Sequence, residues 1–393
     1  MLATPFRIFY PAEMPGRTRA RVYSTSLLHT IMAYVHCLFG VLFPWLRAGN
    51  NHAEWASVEN HGRPGRGASA SWLWWLLWPF LWPVALLIQP FSALAATVSP
   101  PPRRRKCPTL VFSHGLIGCG DEHSLLFTAL AKRGFVVIAL THTDGSAALV
   151  RTAARGRATC YYELPPNMHN NSEYPRCYRL RQIEQRADEV QALLDLLSRG
   201  AHPSSAAAPV NAAPADGDAP SPSDDALLRV LTDEVMDWSR LVLGGFSYGA
   251  ATTALVSARS RGAGLRGAVL LDGWFNIDLA SIGSCTSDEQ VPFPPLAHER
   301  GLGADVPTLF VGSAAFDRME HLQRRTLELQ LRCRAGGGKV EAHVLPGTVH
   351  WSFVDYFVIA PAFVGRLMGL GDARAVHETT IDLVGDFLAR VCV

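Results

Sequence analysis

Three residue types, occurring in one order, carry the chemistry this chain could perform: a serine between glycines, then aspartates, then histidines. Gly245-Phe246-Ser247-Tyr248-Gly249 fits the pattern G-x-S-x-G, whose glycines let a strand reverse into a helix so tightly that the serine hydroxyl is thrust out of the turn. The flanks suit that geometry, with the strand-like "RLVLGG" before it and the helix-like "AATTALVSARSR" after it. A serine hydroxyl is a weak nucleophile near neutral pH, so it needs a histidine to take its proton and a carboxylate to orient that histidine. On such an elbow the acid, then the histidine, follow the serine along the chain.

His298, His343 and His350 lie downstream. His343 sits inside the strand-like "VEAHVL", and His298 precedes the last strands. His350, in "LPGTVHWSFVDY", falls on a glycine-containing loop just after the last strand, where the base belongs. Two acids remain open on spacing: Asp272 ends "GAVLLD", and Asp317 follows the next strand in "PTLFVGSAAFD". Asp278 and Asp355 read as solvated charges. A tetrahedral oxyanion needs two further N–H donors. The backbone N–H of Tyr248, directly after the serine, is one; the loop "VFSHGLIGCG" (111–120) is expected to supply the other through Leu116. His114 precedes the elbow, so it reads as a loop-shaping hydrogen-bonding residue and not as the base.

The elements that must position these groups begin after Lys106. "TLVFS", "FVVIALT", "LVLGG", "GAVLLD", "TLFVG" and "VEAHVL" are short apolar runs, most of them apolar on successive residues, as expected when helices cover both faces of a parallel sheet. "LRQIEQRADEVQALLDLLSR" (180–199) places Ile183, Val190, Leu193, Leu194 and Leu197 on one helical face. The alternation predicts an α/β fold, and the elbow makes it an α/β-hydrolase fold with a mainly parallel central sheet. With 393 residues, 48% of them hydrophobic, a single domain spanning 1–393 can bury its core. The 36 basic and 34 acidic residues nearly cancel, so no overall field draws nucleic acid. Eight scattered cysteines include no C-x-x-C pair and no zinc-ligand spacing, so no metal site is expected; Cys160 and Cys177 are the pair that an oxidising compartment could join. Asn170-Asn171-Ser172 is a glycosylation sequon, and the N-terminus lacks the basic start and apolar run of a signal peptide.

Two segments stand apart from this pattern. Residues 22–102 form a hydrophobic helical insertion whose stretch 67–102 has no charged residue, with Trp72, Trp74, Trp75, Trp78 and Trp82 crowded together. Pro79, Pro83 and Pro90 argue against one straight spanning helix, and tryptophan favours the water–lipid interface, so contact at a membrane surface is expected, with buried core helices or a true span as alternatives. Residues 200–225, rich in Ala, Pro, Ser and Asp, read as a disordered surface loop.

Several of these stretches together resemble the plasma-type platelet-activating-factor acetylhydrolases, the group VII phospholipases A2. "FRIFYPAE" resembles that family's early strand, "PTLVFSHGLIG" its oxyanion loop, "RQIEQRADEVQALLDLL" its long helix, "LDGWFNID" its acid segment and "GTVHWSFVDY" its histidine segment. The resemblance implies Ser247, Asp272 and His350 as the triad, favouring Asp272 over Asp317, with Leu116 and Tyr248 as oxyanion donors. It also implies calcium-independent hydrolysis of short or oxidised sn-2 acyl groups without a cofactor, on phospholipid at a membrane or lipoprotein surface. A single membrane crossing between Tyr10 and Leu110 is then excluded, because both ends return to one sheet. The start of the chain almost at a strand leads to the expectation of an upstream segment, such as a targeting signal, outside this sequence. Phe246 and Tyr248 stand where the family more usually has His and Phe, a departure expected to bear on substrate range. Two rival readings stay open: a general carboxylesterase or lipase, and a non-catalytic membrane-associated binding protein on a hydrolase scaffold.

Overall fold

The computed structural model describes residues 6–9, 106–151, 158–160, 173–200, 231–260, 264–275, 306–359 and 372–393. The hydrophobic insertion at 22–102 lies outside these residues, as do 201–225 of the Ala/Pro/Ser-rich loop, the sequon at 170–172, His298 and Asp278. The side chains of Cys160 and Cys177 are likewise not described.

Seven strands form one sheet in the order β1-β3-β2-β6-β7-β8-β9. These are β1 (Phe6–Phe9), β2 (Cys107–Ser113), β3 (Val136–Leu140), β6 (Met236–Phe246), β7 (Leu265–Leu271), β8 (Thr308–Ser313) and β9 (Val340–Leu345). β1 runs antiparallel to β3 at one edge, and every other pairing is parallel. A separate antiparallel pair, β4 (Leu149–Arg151) with β5 (Ala158–Cys160), has no counterpart in the sequence reading. Because β1 and β2 share the sheet, the chain between them leaves and re-enters the same layer.

Both faces of the sheet are covered, which explains the unbroken apolar runs. Every residue of β3 is buried. Alternate residues of each strand serve opposite faces: Val111, Ile138, Leu243 and Leu270 pack on one side, and Leu110, Val137, Val242 and Leu271 on the other. The first side is closed by α2 (Glu173–Gly200), through Ile183, Val190, Leu193 and Leu197, and by α3 (Tyr248–Arg259), through Ala250, Ala251, Ala254 and Leu255. The second is closed by α1 (Ser124–Lys132) and α5 (Ala373–Val391), where Phe127, Leu130, Phe387 and Leu388 fill the layer. Truncating one such leucine to alanine costs about 2–5 kcal/mol. α4 (Glu320–Ala335) lies between β8 and β9 in the chain and buries little beyond Leu322 and Cys333 among its apolar side chains. The Asp372 carboxylate caps α5 by accepting from the N–H groups of Arg374 and Ala375.

Register places the chemistry. Ser113 pairs with Gly245, Phe246 with Leu271, Leu271 with Val311, and Ser313 with Leu345. The carboxyl ends of five adjacent parallel strands therefore finish together along one edge of the sheet. The loops that leave them carry the elbow, both sequence-level acids, the glycine-rich loop and His350, and such an edge is where open α/β sheets bind ligands.

Candidate active site

Ser247 occupies the turn between β6 and α3 with φ 55° and ψ −117°. Its N–H donates to Leu271 O (2.9 Å) and its carbonyl accepts from Trp274 N–H (3.0 Å) and Ala250 N–H (3.1 Å), so neighbours on both sides hold the strained conformation. The flanking glycines are required by contact. A Cβ on Gly245 would stand 2.2 Å from Gly249 O, and one on Gly249 would stand 2.0 Å from Ser113 O. Among the described residues, the non-glycine positions with positive φ are Ile117, Ser247 and Asp272. All three lie at this one edge. Such conformations cost about 1–3 kcal/mol each, and that strain tends to cluster at functional sites.

The His350 imidazole lies between the serine and an aspartate. Its Nε2 is 2.9 Å from Ser247 Oγ, and its Nδ1 is 2.7 Å from Asp272 Oδ2. The Asp272 carboxylate is buried and accepts two further hydrogen bonds, from Ser313 N–H at Oδ1 (2.6 Å) and Ser313 Oγ–H at Oδ2 (2.8 Å). With Oδ2 accepting, the imidazole proton sits on Nδ1, and the Nε2 lone pair faces the serine hydroxyl. Phe246 and Phe316 both stack on the imidazole, with centroids 4.7 and 4.1 Å away, and restrict its rotation. Asp317 is elsewhere: its half-buried carboxylate accepts from Gln323 Nε2 at 3.3 Å and makes no contact with His350. His343 lies within β9.

The loop after β2 packs against the elbow, since a Cβ on Gly115 would stand 3.2 Å from Ser247 Cβ. Its amides on either side of Leu116 are committed. Gly115 N–H donates to Glu122 Oε1 (2.8 Å) and Ile117 N–H to Ser146 O (2.8 Å). Among the described residues no acceptor takes the Leu116 N–H between them. The His114 ring accepts His142 N–H at Nε2 (3.0 Å), which puts its own proton on Nδ1, 2.6 Å from Gly115 O. Burial, reinforced by the Arg186 charge, holds His114 well below the usual histidine range, so it stays neutral and shapes the loop.

Several supports escaped the sequence reading. Arg186 is fully buried and bonds the carbonyls of His114 (2.7 Å) and Gly115 (3.2 Å), while its Nε pairs with Asp144 Oδ2 at 3.0 Å. His142 pairs through Nδ1 with Glu189 Oε2 at 2.8 Å. The signal for Arg186 was present: it lies three residues after Ile183 and four before Val190, a charge on the apolar stripe of α2. Nothing comparable in sequence marks Ser313, which acts on Asp272 from the neighbouring strand, or Glu122, which accepts from Gly115 N–H within its own loop. The reading of Asp355 as a solvated charge is overturned: it is 2% exposed, Oδ2 accepts from Leu125 N–H at 2.9 Å, and burial raises its pKa well above the ordinary range. Phe246 and Tyr248, the two departures from the family pattern, are 3% and 0% exposed, one stacked on His350 and the other beneath Arg186.

Known proteins resemble this chain in sequence. The family model for platelet-activating factor acetylhydrolase, isoform II, matches residues 92–386. Platelet-activating factor acetylhydrolase of Gallus gallus is 25% identical over 279 residues, covering 67% of this chain and 56% of that protein. The Canis lupus familiaris protein of the same description is 25% identical over 295 residues, covering 71% and 54%. The chain spans about half the length of the curated relatives it matches. Among solved structures, a ferulic acid esterase from Streptomyces cinnamoneus aligns with TM-score 0.49 at 20% identity, covering 76% of this chain and 70% of that one.

Proposed function

The chain belongs to the platelet-activating factor acetylhydrolase, isoform II, family, and from that premise we propose that it is a serine esterase cleaving the sn-2 acyl ester of phospholipids, with Ser247, His350 and Asp272 as its triad. The observation that carries the reading is the continuous chain from Ser247 Oγ through His350 to Asp272, at 2.9 and 2.7 Å. His350 Nε2 takes the hydroxyl proton as Ser247 Oγ attacks the ester carbonyl, and Asp272 stabilises the imidazolium that forms. The N–H groups of Leu116 and Tyr248 receive the oxyanion; the Leu116 N–H has no acceptor among the described residues. Collapse of the tetrahedral intermediate expels the lysolipid, protonated by His350. Water, activated by the same imidazole, then hydrolyses the acyl-serine and frees the enzyme. Asp317 has no part in this scheme.

We place this chemistry in one hydrolase domain, with residues 22–102 inserted as the element that meets the lipid surface. The tryptophan-rich, uncharged composition of 67–102 supports that placement. Substrates with short or oxidised sn-2 chains are expected, by family membership, to turn over without calcium.

The test is fluorophosphonate labelling together with hydrolysis of a phosphatidylcholine series of increasing sn-2 length. Wild type should label, Ser247→Ala should not, and rates should fall as the chain lengthens. Absence of wild-type labelling would overturn the esterase reading. Equal rates on simple esters and phospholipids would point to a general carboxylesterase instead.

A further inference from the structure

Arg186 is an expensive residue to place where it is. Its side chain is 0% exposed, and so is the side chain of its partner Asp144. A buried ion pair commonly contributes no more stability than apolar residues of similar volume, because both charges lose their hydration. Packing α2 against the sheet therefore does not by itself call for a guanidinium at this position.

The direction of its donors supplies a reason. Nε faces Asp144 Oδ2 and Ser146 Oγ, each at 3.0 Å. Nη1 donates to His114 O at 2.7 Å and Nη2 to Gly115 O at 3.2 Å, two consecutive carbonyls of the loop beside Ser247. Gly115 O also faces the His114 Nδ1–H at 2.6 Å. Gly115 C=O and Leu116 N–H belong to the same peptide group. Donors on the carbonyl draw charge toward the oxygen and make the N–H across the peptide a stronger donor, by about 10–30% per bond in condensed-phase estimates. The amides on either side are already tied to Glu122 and Ser146. The guanidinium carbon also lies 4.6 Å from the centre of the Tyr248 ring, a residue whose backbone N–H begins α3 at the elbow.

We propose that Arg186 is a positioning residue for the oxyanion site: its buried cation fixes and polarises the Gly115–Leu116 peptide and braces Tyr248, so that both N–H donors meet the developing negative charge already aligned. The proposal rests on the serine-esterase reading above. Asp144 aims the cation through its Nε, and Ser146, which accepts from Arg186 and from Ile117 through different oxygens, ties the two loops together.

The experiment compares the full chain with Arg186→Lys, which keeps the charge but loses the fork, and with Arg186→Gln/Asp144→Asn, which removes both charges together. Kinetics on a short-chain sn-2 phospholipid are measured beside inhibition by two probes of one skeleton. One is a trifluoromethyl ketone, which adds Ser247 to form an anionic hemiketal; the other is its carbinol, which cannot. Folded variants should lose about 10- to 100-fold in kcat, below the cost of deleting an oxyanion donor outright, with KM within about threefold. The ketone's inhibition constant should rise in step with the kcat loss while the carbinol's stays put. Retention of kcat within twofold in both variants would overturn the proposal, and so would equal weakening of ketone and carbinol, which marks general damage to the site. If either variant fails to fold, Ser146→Ala loosens the guanidinium without stranding a charge and must show the same split at a smaller, few-fold size. An unlabelled, inactive wild type would fell the esterase reading; an active wild type with unaffected variants would fell only the role of Arg186.

Discussion

Replacing Asp272 by asparagine isolates one proton. The Oδ1 position faces Ser313 N–H at 2.6 Å, and a backbone N–H can only donate, so the asparagine must keep its carbonyl oxygen there. Its NH2 then takes the Oδ2 position, 2.8 Å from Ser313 Oγ and 2.7 Å from His350 Nδ1. The serine hydroxyl can turn to accept, but His350 Nδ1 can accept only by moving its proton to Nε2. Nε2, 2.9 Å from Ser247 Oγ, would then present a proton where a lone pair is needed. The geometry survives and the tautomer is wrong, a change that costs about 10,000-fold in kcat in triads of this kind, or about 5.4 kcal/mol of transition-state stabilisation. KM should move little and the melting temperature by only a few degrees, since each hydrogen-bonding position stays filled. Asp317→Asn, made in parallel, should keep activity within about twofold, because among the described residues that carboxylate bonds Gln323 and not His350. The assay is release of a short acyl group from phosphatidylcholine, with thermal melts on the same preparations. More than a tenth of wild-type kcat in Asp272→Asn, or a collapse in Asp317→Asn alone, would refute the reasoning.

Gly249→Ala puts a methyl group 2.0 Å from the backbone oxygen of Ser113, which cannot swing aside; overpacking of this kind costs about 1–3 kcal/mol or more, so a lowered melting temperature and at least a tenfold loss of kcat are expected together. Phe316→Leu removes the ring stacked 4.1 Å from the His350 imidazole, worth about 0.5–1.5 kcal/mol; kcat should drop about 2- to 12-fold with KM nearly unchanged, and Phe316→Tyr should restore most of it. His377 is held neutral, its pKa drawn down to about 4 chiefly by burial. The unfolded histidine therefore binds its proton first, and the stability this residue contributes is present above about pH 6.5 and is lost as pH falls toward about 4. His377→Gln, scanned by thermal melts, should flatten that limb. The buried Asp355 acts in the opposite sense, so the difference between variant and wild type, and not the wild-type curve alone, is the diagnostic quantity.

Much of the fold and of the candidate site was legible in the chain because the signals are local. β3 reads as a strand buried on both faces from five successive apolar residues, and α2 reads as a helix from its 3- and 4-residue spacing. The elbow is equally local: Gly245 and Gly249 are demanded by contacts within a few residues of Ser247 or with the adjoining strand. Chain order then nominated His350, and a family resemblance nominated Asp272, where spacing alone left Asp317 equal. The weakly patterned pieces were missed. The short β4–β5 pair has three residues a side, too few for alternation to be distinguished from chance.

What the sequence determined by itself was which elements form and which residue types could take part, since backbone sterics and hydrophobic periodicity act between near neighbours. Only the tertiary structure decided which carboxylate meets His350, because the difference between Asp272 and Asp317 is one of direction and distance across separate strands. It also decided that Arg186, Glu122 and Ser313, far apart in the chain, converge behind the site, and that Asp355 is buried and not solvated. Hydrogen bonds and buried charges take their meaning from the partners that folding brings within about 3 Å, and those partners are named nowhere in the local sequence.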